Sequence, residues 1–360
     1  MNPHHYVAIM AGGIGSRFWP MSRTVYPKQF LDILHTGRTL IQSTYDRYRK
    51  FIPAENIFVV TSVEYSSIVA QQLPDLPTQN ILSEPSRKNT APCIAYIAHK
   101  LEKIDPEALL ICAPADHLIL DAPAFEEVCR HAFNFVDSIN ALVTLGIKPT
   151  YPNTGYGYIQ HDVMPVADNI YKVKTFTEKP NIDLAKTFIA SGDFLWNAGI
   201  FVWKLRNLLR AFDNLMPEMN ELFLAEKDQL NTSGEQAAIE RIYPQCTNIS
   251  IDYGILEKAD NVYVVPSSFG WSDLGTWNSA YENMEKDYFG NAVAGKNVMI
   301  IDATKNVVHA PDQKLVLLQG LDDFIVVDTN DVLLICKKDK EQEIKEYVGE
   351  VKRKKGDKFL

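Results

Sequence analysis

Through roughly the first three quarters of the chain, short apolar runs alternate with longer segments whose apolar residues recur at helical spacing. Tyr6–Met10, Ile57–Thr61, Leu109–Ala113 and Ala141–Leu145 are nearly unbroken apolar runs, the pattern of strands covered on both faces. Leu40–Phe51, Glu64–Leu73, Ala91–Ile104 and Phe125–Ile139 carry one apolar stripe each and predict helices between them. Thr90 reads as the N-cap of the third helix, with Pro92 in its first turn. Strand and helix in alternation predict an α/β fold, a mostly parallel sheet with helices on its faces.

The pattern changes twice. Tyr156–Gln160, Tyr171–Thr177 and Ala198–Trp203 read as strands separated by turn-rich or helical pieces. After Met284 only short β-branched stretches recur, at Val298–Ile301, Leu315–Leu318, Phe324–Val327 and Val332–Ile335, with Asn, Asp and Gly between them. No helix-length insert separates them, so this part is expected to be all-β, either a small solenoid or a fragment of a sandwich. Asp339–Lys352 would close it as a charged helix. The expected division is residues 1–285 and residues 286–360.

Composition narrows the class. With 46% hydrophobic and 22% charged residues, the chain has the make-up of a globular protein rather than a disordered or fibrous one. A net charge of −9 disfavours extended nucleic-acid binding, though a single nucleotide needs only local positive charge. No run approaches the ~18 apolar residues of a membrane span, and Met1-Asn2-Pro3-His4-His5 leads into a strand without a signal-like hydrophobic segment. A cytoplasmic location, with no membrane partner, is therefore expected. Cys93, Cys112, Cys129, Cys246 and Cys336 lie in apolar contexts without C-x-x-C spacing, the usage of reduced core thiols. Lys352-Arg353-Lys354-Lys355 reads as a solvated tail.

Directly behind the first strand comes Ala11-Gly12-Gly13-Ile14-Gly15-Ser16-Arg17. It lacks the Gly-Lys-Ser/Thr of a P-loop, and Phe18 stands where a dinucleotide fingerprint needs its third glycine. Glycines at the carboxyl end of a parallel strand still let backbone N–H groups approach phosphate oxygens. A bare turn would account for Gly12, Gly13 and Gly15, but not for Arg17 and Lys28 on the same loop. Asp116, in Ala113-Pro114-Ala115-Asp116-His117, ends the strand Leu109–Ala113 and is suited to Mg²⁺, although a turn cap also favours Asp there. Asp273, between Trp271 and Trp277 and two glycines, offers a second carboxylate or a structural turn.

These segments, in order, resemble the sugar-1-phosphate nucleotidylyltransferases. The likeness is carried by Gly12-Gly13-Ile14-Gly15-Ser16-Arg17-Phe18-Trp19-Pro20-Met21-Ser22 with Pro27-Lys28-Gln29-Phe30, and by Glu84-Pro85 through Arg87-Lys88-Asn89-Thr90-Ala91-Pro92. It continues in Pro114-Ala115-Asp116-His117, Gly155-Tyr156-Gly157-Tyr158-Ile159, Glu178-Lys179-Pro180, Trp196-Asn197-Ala198-Gly199-Ile200-Phe201 and Trp271-Ser272-Asp273. Phe18 and Met21 replace the leucines usual in the signature. Asn89-Thr90-Ala91-Pro92 with Pro27-Lys28-Gln29-Phe30 resembles the mannose-1-phosphate guanylyltransferase branch.

The resemblance implies a Rossmann-like nucleotidyltransferase domain followed by a small left-handed β-helix, with a homodimer through that tail. It implies GTP and mannose 1-phosphate as substrates and Mg²⁺ as cofactor. Arg17 and Lys28 would serve the triphosphate, Lys179 the sugar phosphate, and Asp116 with Asp273 the metal. Ala11, Gly12, Gly13, Gly15, Ser16, Glu84, Arg87, Asn89 and Thr90 would bind the nucleotide, and Gly155, Tyr156, Gly157, Glu178 and Asn197 the sugar. Glu84 is the expected guanine selector, since a carboxylate can accept both N1–H and N2–H₂; the alternative is a solvent-facing strand end. About 75 residues after the boundary are too few for the cupin isomerase fused to some members, so a single function is expected. The rival readings are a different NTP and sugar 1-phosphate, or a catalytically silent regulatory subunit, which should have lost Lys28, Lys179 or a metal Asp.

Overall fold

A computed structural model describes residues 1–360, which form two compact units. The first contains Met1–Gly12, Tyr45–Ala115 and Ile119–Trp271; the second contains Gly13–Thr44, Asp116–Leu118 and Ser272–Leu360. The second unit thus takes in chain from well before residue 286.

The first unit is built on nine strands: β1 His5–Ala11, β2 Ile57–Ser62, β3 Ile81–Glu84, β4 Leu109–Pro114, β5 Leu142–Ile147, β6 Gly157–Ala167, β7 Ile170–Glu178, β8 Phe194–Lys204 and β9 Val262–Ser267. Their order is β3-β2-β1-β4-β8-β5-β9-β7-β6, with β6 also pairing to β8. Only β7 and β8 run against the rest, so the sheet is mixed but mostly parallel. The apolar runs are central strands because they are buried on both faces: β2 and β5 are buried along their whole lengths. Helices Thr90–Ile104 and Ala122–Ser138 pack on the sheet through Ile94, Ile97, Leu101, Phe125 and Phe133, none of them exposed.

Helix Thr90–Ile104 starts one residue earlier than its apolar stripe suggests. Asn89 is the N-cap, its Oδ1 accepting from the Thr90 N–H at 2.9 Å, so Thr90 is the first helical residue rather than the cap. The Thr90 hydroxyl is thereby left to accept from the Ile251 N–H, also at 2.9 Å.

In the second unit, β10 Ala292–Ala294, β12 Val307–His309 and β14 Phe324–Asp328 stack in parallel, while β11 Val298–Ile301 and β13 Val316–Gln319 form a second parallel ladder. A chain that alternates between two parallel ladders is a β-helix, and the sandwich alternative is excluded. β15 Leu333–Lys337 closes the first ladder antiparallel to β14. β10 and β12 are too short to be seen in the sequence pattern. An asparagine stack holds the coils in register: the Asn306 N–H and Nδ2 both donate to Asn291 Oδ1 at 3.0 Å, and Asn306 Oδ1 accepts from the Phe324 N–H. The closing helix runs over Ile344–Lys355, preceded by a 3₁₀ segment at Lys338–Glu343. Its last-turn lysines and arginine are solvated, as expected, where they favour the helix dipole.

Phe18, Trp19, Ile33 and Leu40 share one core with Leu274, Trp277, Ile325, Val327 and Ile344. Four cysteines are buried, while Cys336 on β15, the closing edge strand, is only partly buried and packs at the margin of the core. No helix is long and apolar enough to cross a membrane.

Candidate active site

Ala11 ends β1, and its carbonyl accepts from the Thr61 hydroxyl at 2.9 Å, which fixes the point where the glycine segment leaves the sheet. In the second unit that segment folds back on itself. Ser22 Oγ donates to the Ile14 carbonyl at 2.7 Å and Gln29 Nε2 to the Gly13 carbonyl at 3.0 Å. Gly15 has φ +63°, and a side chain there would collide with Cβ of Lys28. Glycine is therefore required both by the left-handed conformation and by the Lys28 stem lying against the loop. Ser16 opens a 3₁₀ turn that ends in buried Phe18, whose ring packs against Trp277 with centroids 5.0 Å apart.

Lys28 is almost completely buried, at 4% exposure. Its Nζ donates to Asp116 Oδ2, to the Asp273 carbonyl and to the Leu274 carbonyl, each at 2.9 Å. These three acceptors use every donor of an ammonium group. Lys28 thus ties the two sequence-predicted metal residues into one cluster. Burial would push the Asp116 carboxyl up, but the charges of Lys28 and His117 and the hydrogen bond from Lys28 outweigh it and hold the group below the usual carboxylate range.

Asp273 folds over its own turn, Oδ1 accepting from the Gly275 N–H at 2.9 Å, while Leu274 is buried with φ +43°. Arg17 Nη1 donates to the Gly275 carbonyl at 3.2 Å, which places the guanidinium on this turn. Asp116 and Asp273 are hard oxygen donors of the kind Mg²⁺ takes, and no group of three or more His, Cys, Asp or Glu forms a closed site with them. That donor set fits an ion whose remaining shell comes from phosphate oxygens and water.

In the first unit, Glu84 ends β3 and is 6% exposed, so it is not a solvent-facing strand end. Its Oε1 accepts from the buried Tyr243 hydroxyl at 2.9 Å, and its Oε2 lies beside Gly12. Burial raises its pKa to about 7, and the Tyr243 hydrogen bond only partly opposes this. The residues after Glu84 are placed differently. Arg87 bonds the Tyr65 hydroxyl, lies over the Tyr65 ring and approaches Glu64 at 3.5 Å. Asn89 and Thr90 carry the helix cap and the bond to Ile251.

The sugar-predicted residues come together in the same unit. Gly157 pairs with Glu178 across β6 and β7, and a side chain at Gly157 would press on Glu178 Oε2. Asn197 on β8 is held at three points, which leaves one Nδ2 N–H to spare: its Oδ1 accepts from the Thr144 hydroxyl and the Gly199 N–H, and its Nδ2 donates to Asp252 Oδ1 at 2.8 Å. Tyr156 stands edge-on to Trp196 and Trp271, with centroids 5.1 and 5.2 Å away. Gly155 belongs to a turn closed by Asn153 Oδ1 at 2.7 Å. Lys179 holds φ +47°, donates its N–H to the Tyr156 carbonyl and pairs its exposed ammonium with Glu178.

Asp252 and Tyr243 are absent from the sequence-predicted set. Asp252 opens a single π turn at Asp252–Leu256, and burial followed by repulsion from Glu178 raises its pKa. Its only local signal is an acid just before an apolar stretch, which equally describes a turn. Tyr243 lies 159 positions from Glu84, and nothing in its neighbourhood marks it.

Comparison with known proteins covers almost the whole chain. Residues 6–288 match the family model described as nucleotidyl transferase, and residues 296–351 match the MannoseP isomerase/GMP-like beta-helix domain. Mannose-1-phosphate guanylyltransferase from Escherichia coli K12 is 35% identical over 357 residues, covering 96% of this chain and 73% of that protein. Alginate biosynthesis protein AlgA from Pseudomonas aeruginosa is 36% identical over 348 residues, covering 95% of this chain and 71% of that protein. A crystal structure from Thermus thermophilus, described as a "mannose-1-phosphate geranyltransferase", superposes with a TM-score of 0.87 at 29% identity, covering 97% of this chain and 99% of that one.

Proposed function

The chain belongs to the mannose-1-phosphate guanylyltransferase family, and from that membership we propose how its residues transfer GMP from GTP to α-D-mannose 1-phosphate, giving GDP-mannose and pyrophosphate. A phosphate oxygen of the sugar phosphate attacks the α-phosphorus of GTP. A new P–O bond forms in line with the α–β bridge, which breaks and releases pyrophosphate. The attacking oxygen is already anionic, so no general base is needed. The barrier lies in bringing polyanions together and in the charge that gathers on the leaving group.

The observation that carries this mechanism is the Lys28 ammonium joined to Asp116 and to the carbonyls of Asp273 and Leu274. Lys28 acts here by holding both aspartates in place and limiting the repulsion between them. Asp116 and Asp273 would hold Mg²⁺, and the ion would supply Lewis-acid withdrawal of charge from phosphate oxygens. Gly13 and Gly15 present backbone N–H groups to the triphosphate, and Arg17, placed on the Gly275 turn, draws charge from the departing pyrophosphate. Lys179, paired with Glu178 and otherwise exposed, is free to exchange that partner for the sugar phosphate. Glu178, Asn197 and the backbone at Gly157 supply acceptors and donors for sugar hydroxyls. Glu84 reads guanine through Oε2, Tyr243 fixing the other oxygen.

The test is pyrophosphate release and nucleotide-sugar formation over a panel of GTP, ATP, UTP and dTTP with mannose, glucose and N-acetylglucosamine 1-phosphates. GTP with mannose 1-phosphate should give the highest kcat/KM. Preference for another pair would refute the substrate reading, and no product from any pair would refute the catalytic one.

A further inference from the structure

The 3₁₀ segment Lys338–Glu343 that precedes the closing helix carries a carboxylate the mechanism above does not use. Glu341 Oε2 accepts from the Asn278 N–H at 2.7 Å, and this bond, the Thr276 hydroxyl and the charge of Arg17 all favour its ionised form against burial. Asn278 is the second residue of helix Trp277–Asn283, so its N–H has no partner within the helix. Thr276 is the N-cap of the same helix, and its Oγ1 accepts from Ser279 in a capping box. Glu341 therefore completes the cap from 63 residues away. Immediately before Thr276 stand the Asp273 and Leu274 carbonyls that hold Lys28 and the Gly275 carbonyl that holds Arg17. Leu274, with φ +43°, keeps this turn in a conformation its own sequence does not favour.

We propose that Glu341 is a positioning residue for the nucleotidyl transfer: by capping helix Trp277–Asn283 it fixes the Asp273–Gly275 turn, and through that turn the guanidinium of Arg17. This rests on the assignment of Arg17 to the triphosphate. A second tie from the C-terminus points the same way, since Trp19 Nε1, two residues after Arg17, donates to the Phe359 carbonyl at 2.7 Å. The β-helix end of the chain thus takes part in the chemistry of the glycine loop.

The experiment measures KM for GTP, KM for mannose 1-phosphate and Tm for the full-length wild type, Glu341→Ala, Glu341→Gln and Arg17→Ala. Glu341→Ala should raise the GTP KM about tenfold, the cost of a lost helix cap expressed at the turn, with the sugar-phosphate KM within about twofold. Glu341→Gln keeps an oxygen for the Asn278 N–H and should restore most of the GTP KM. Both KM values unchanged in Glu341→Ala, or both raised alike along with a lower Tm, would overturn the proposal. If Glu341→Ala does not fold, Glu341→Asp, one methylene too short, replaces it and is judged by the same split. Arg17→Ala tests the underlying assignment: an unchanged GTP KM there removes that assignment and this inference together. A raised GTP KM in Arg17→Ala beside an unaffected Glu341→Ala removes this inference alone.

Discussion

Glu84 carries a sharper consequence than the other candidate residues because burial raises its pKa to about 7. A carboxyl raised in the folded state keeps a proton that the unfolded chain would release, so its ionisation opposes folding as pH rises from its ordinary value through 7. Guanine needs the ionised form, which accepts from N1–H and N2–H₂. The GTP KM should therefore fall as pH rises from 6 to 8, relative to that of UTP. Glu84→Gln should flatten this difference and cut the GTP/UTP efficiency ratio by about tenfold or more, the worth of a charge-assisted hydrogen bond. An unchanged ratio would remove Glu84 from base recognition. Lys179 allows a second contrast. Lys179→Ala should raise the mannose 1-phosphate KM about tenfold or more and leave the GTP KM near wild type. Equal effects on both would show that its pairing with Glu178 matters instead.

Strands and helices were the most legible features of the sequence, since their periods report burial directly. Val298–Ile301 coincides with β11, and β2, β4 and β14 differ from their expected bounds by one residue. The β-helix was legible only as a set of short strands: Val308, Leu318 and Val326 give it an apolar core, but the contacts that set one coil against the next are polar and leave no apolar period. Asn306 shows this: it is fully buried and bonds Asn291, the Leu321 carbonyl and the Phe324 N–H. Asn306→Leu leaves those groups unpaired in a dry interior and should cost about 2–3 kcal/mol, read as a lower urea midpoint. A midpoint within error of wild type would mean that the stack contributes no stability.

The second compact unit explains why the glycine loop cannot be separated from the chain's end. Residues 13–44 share their core with the β-helix and closing helix, through Phe18, Trp19, Ile33 and Leu40 on one side and Ile325, Val327 and Ile344 on the other. Polar ties reinforce it: Arg23 binds Asp331 through both terminal nitrogens and also reaches the Thr329 hydroxyl. Truncation after residue 285 would expose that apolar surface and release those ties. The truncated chain is expected to aggregate or lose all nucleotidyl transfer, measured as soluble yield and pyrophosphate release. A soluble, active truncation would show that the loop holds its shape without the β-helix.

Local pattern was enough for the alternation of strands and helices, the all-β tail, the glycine segment at the end of β1 and the kinds of residue available for phosphate and metal. Each of these is written in neighbouring residues, as a burial period or as the freedom of glycine near the backbone. Only the tertiary structure decided which polar groups meet. Lys28 reaches carbonyls about 245 positions away, Tyr243 settles on Glu84, Asp252 holds Asn197 and Glu341 caps the turn behind Arg17. A hydrogen bond between distant residues leaves no periodic trace along the chain, since either partner alone looks like an ordinary turn or surface residue. The glycine loop could be recognised from its own residues, but the core it packs into is completed by residues from the far end of the chain.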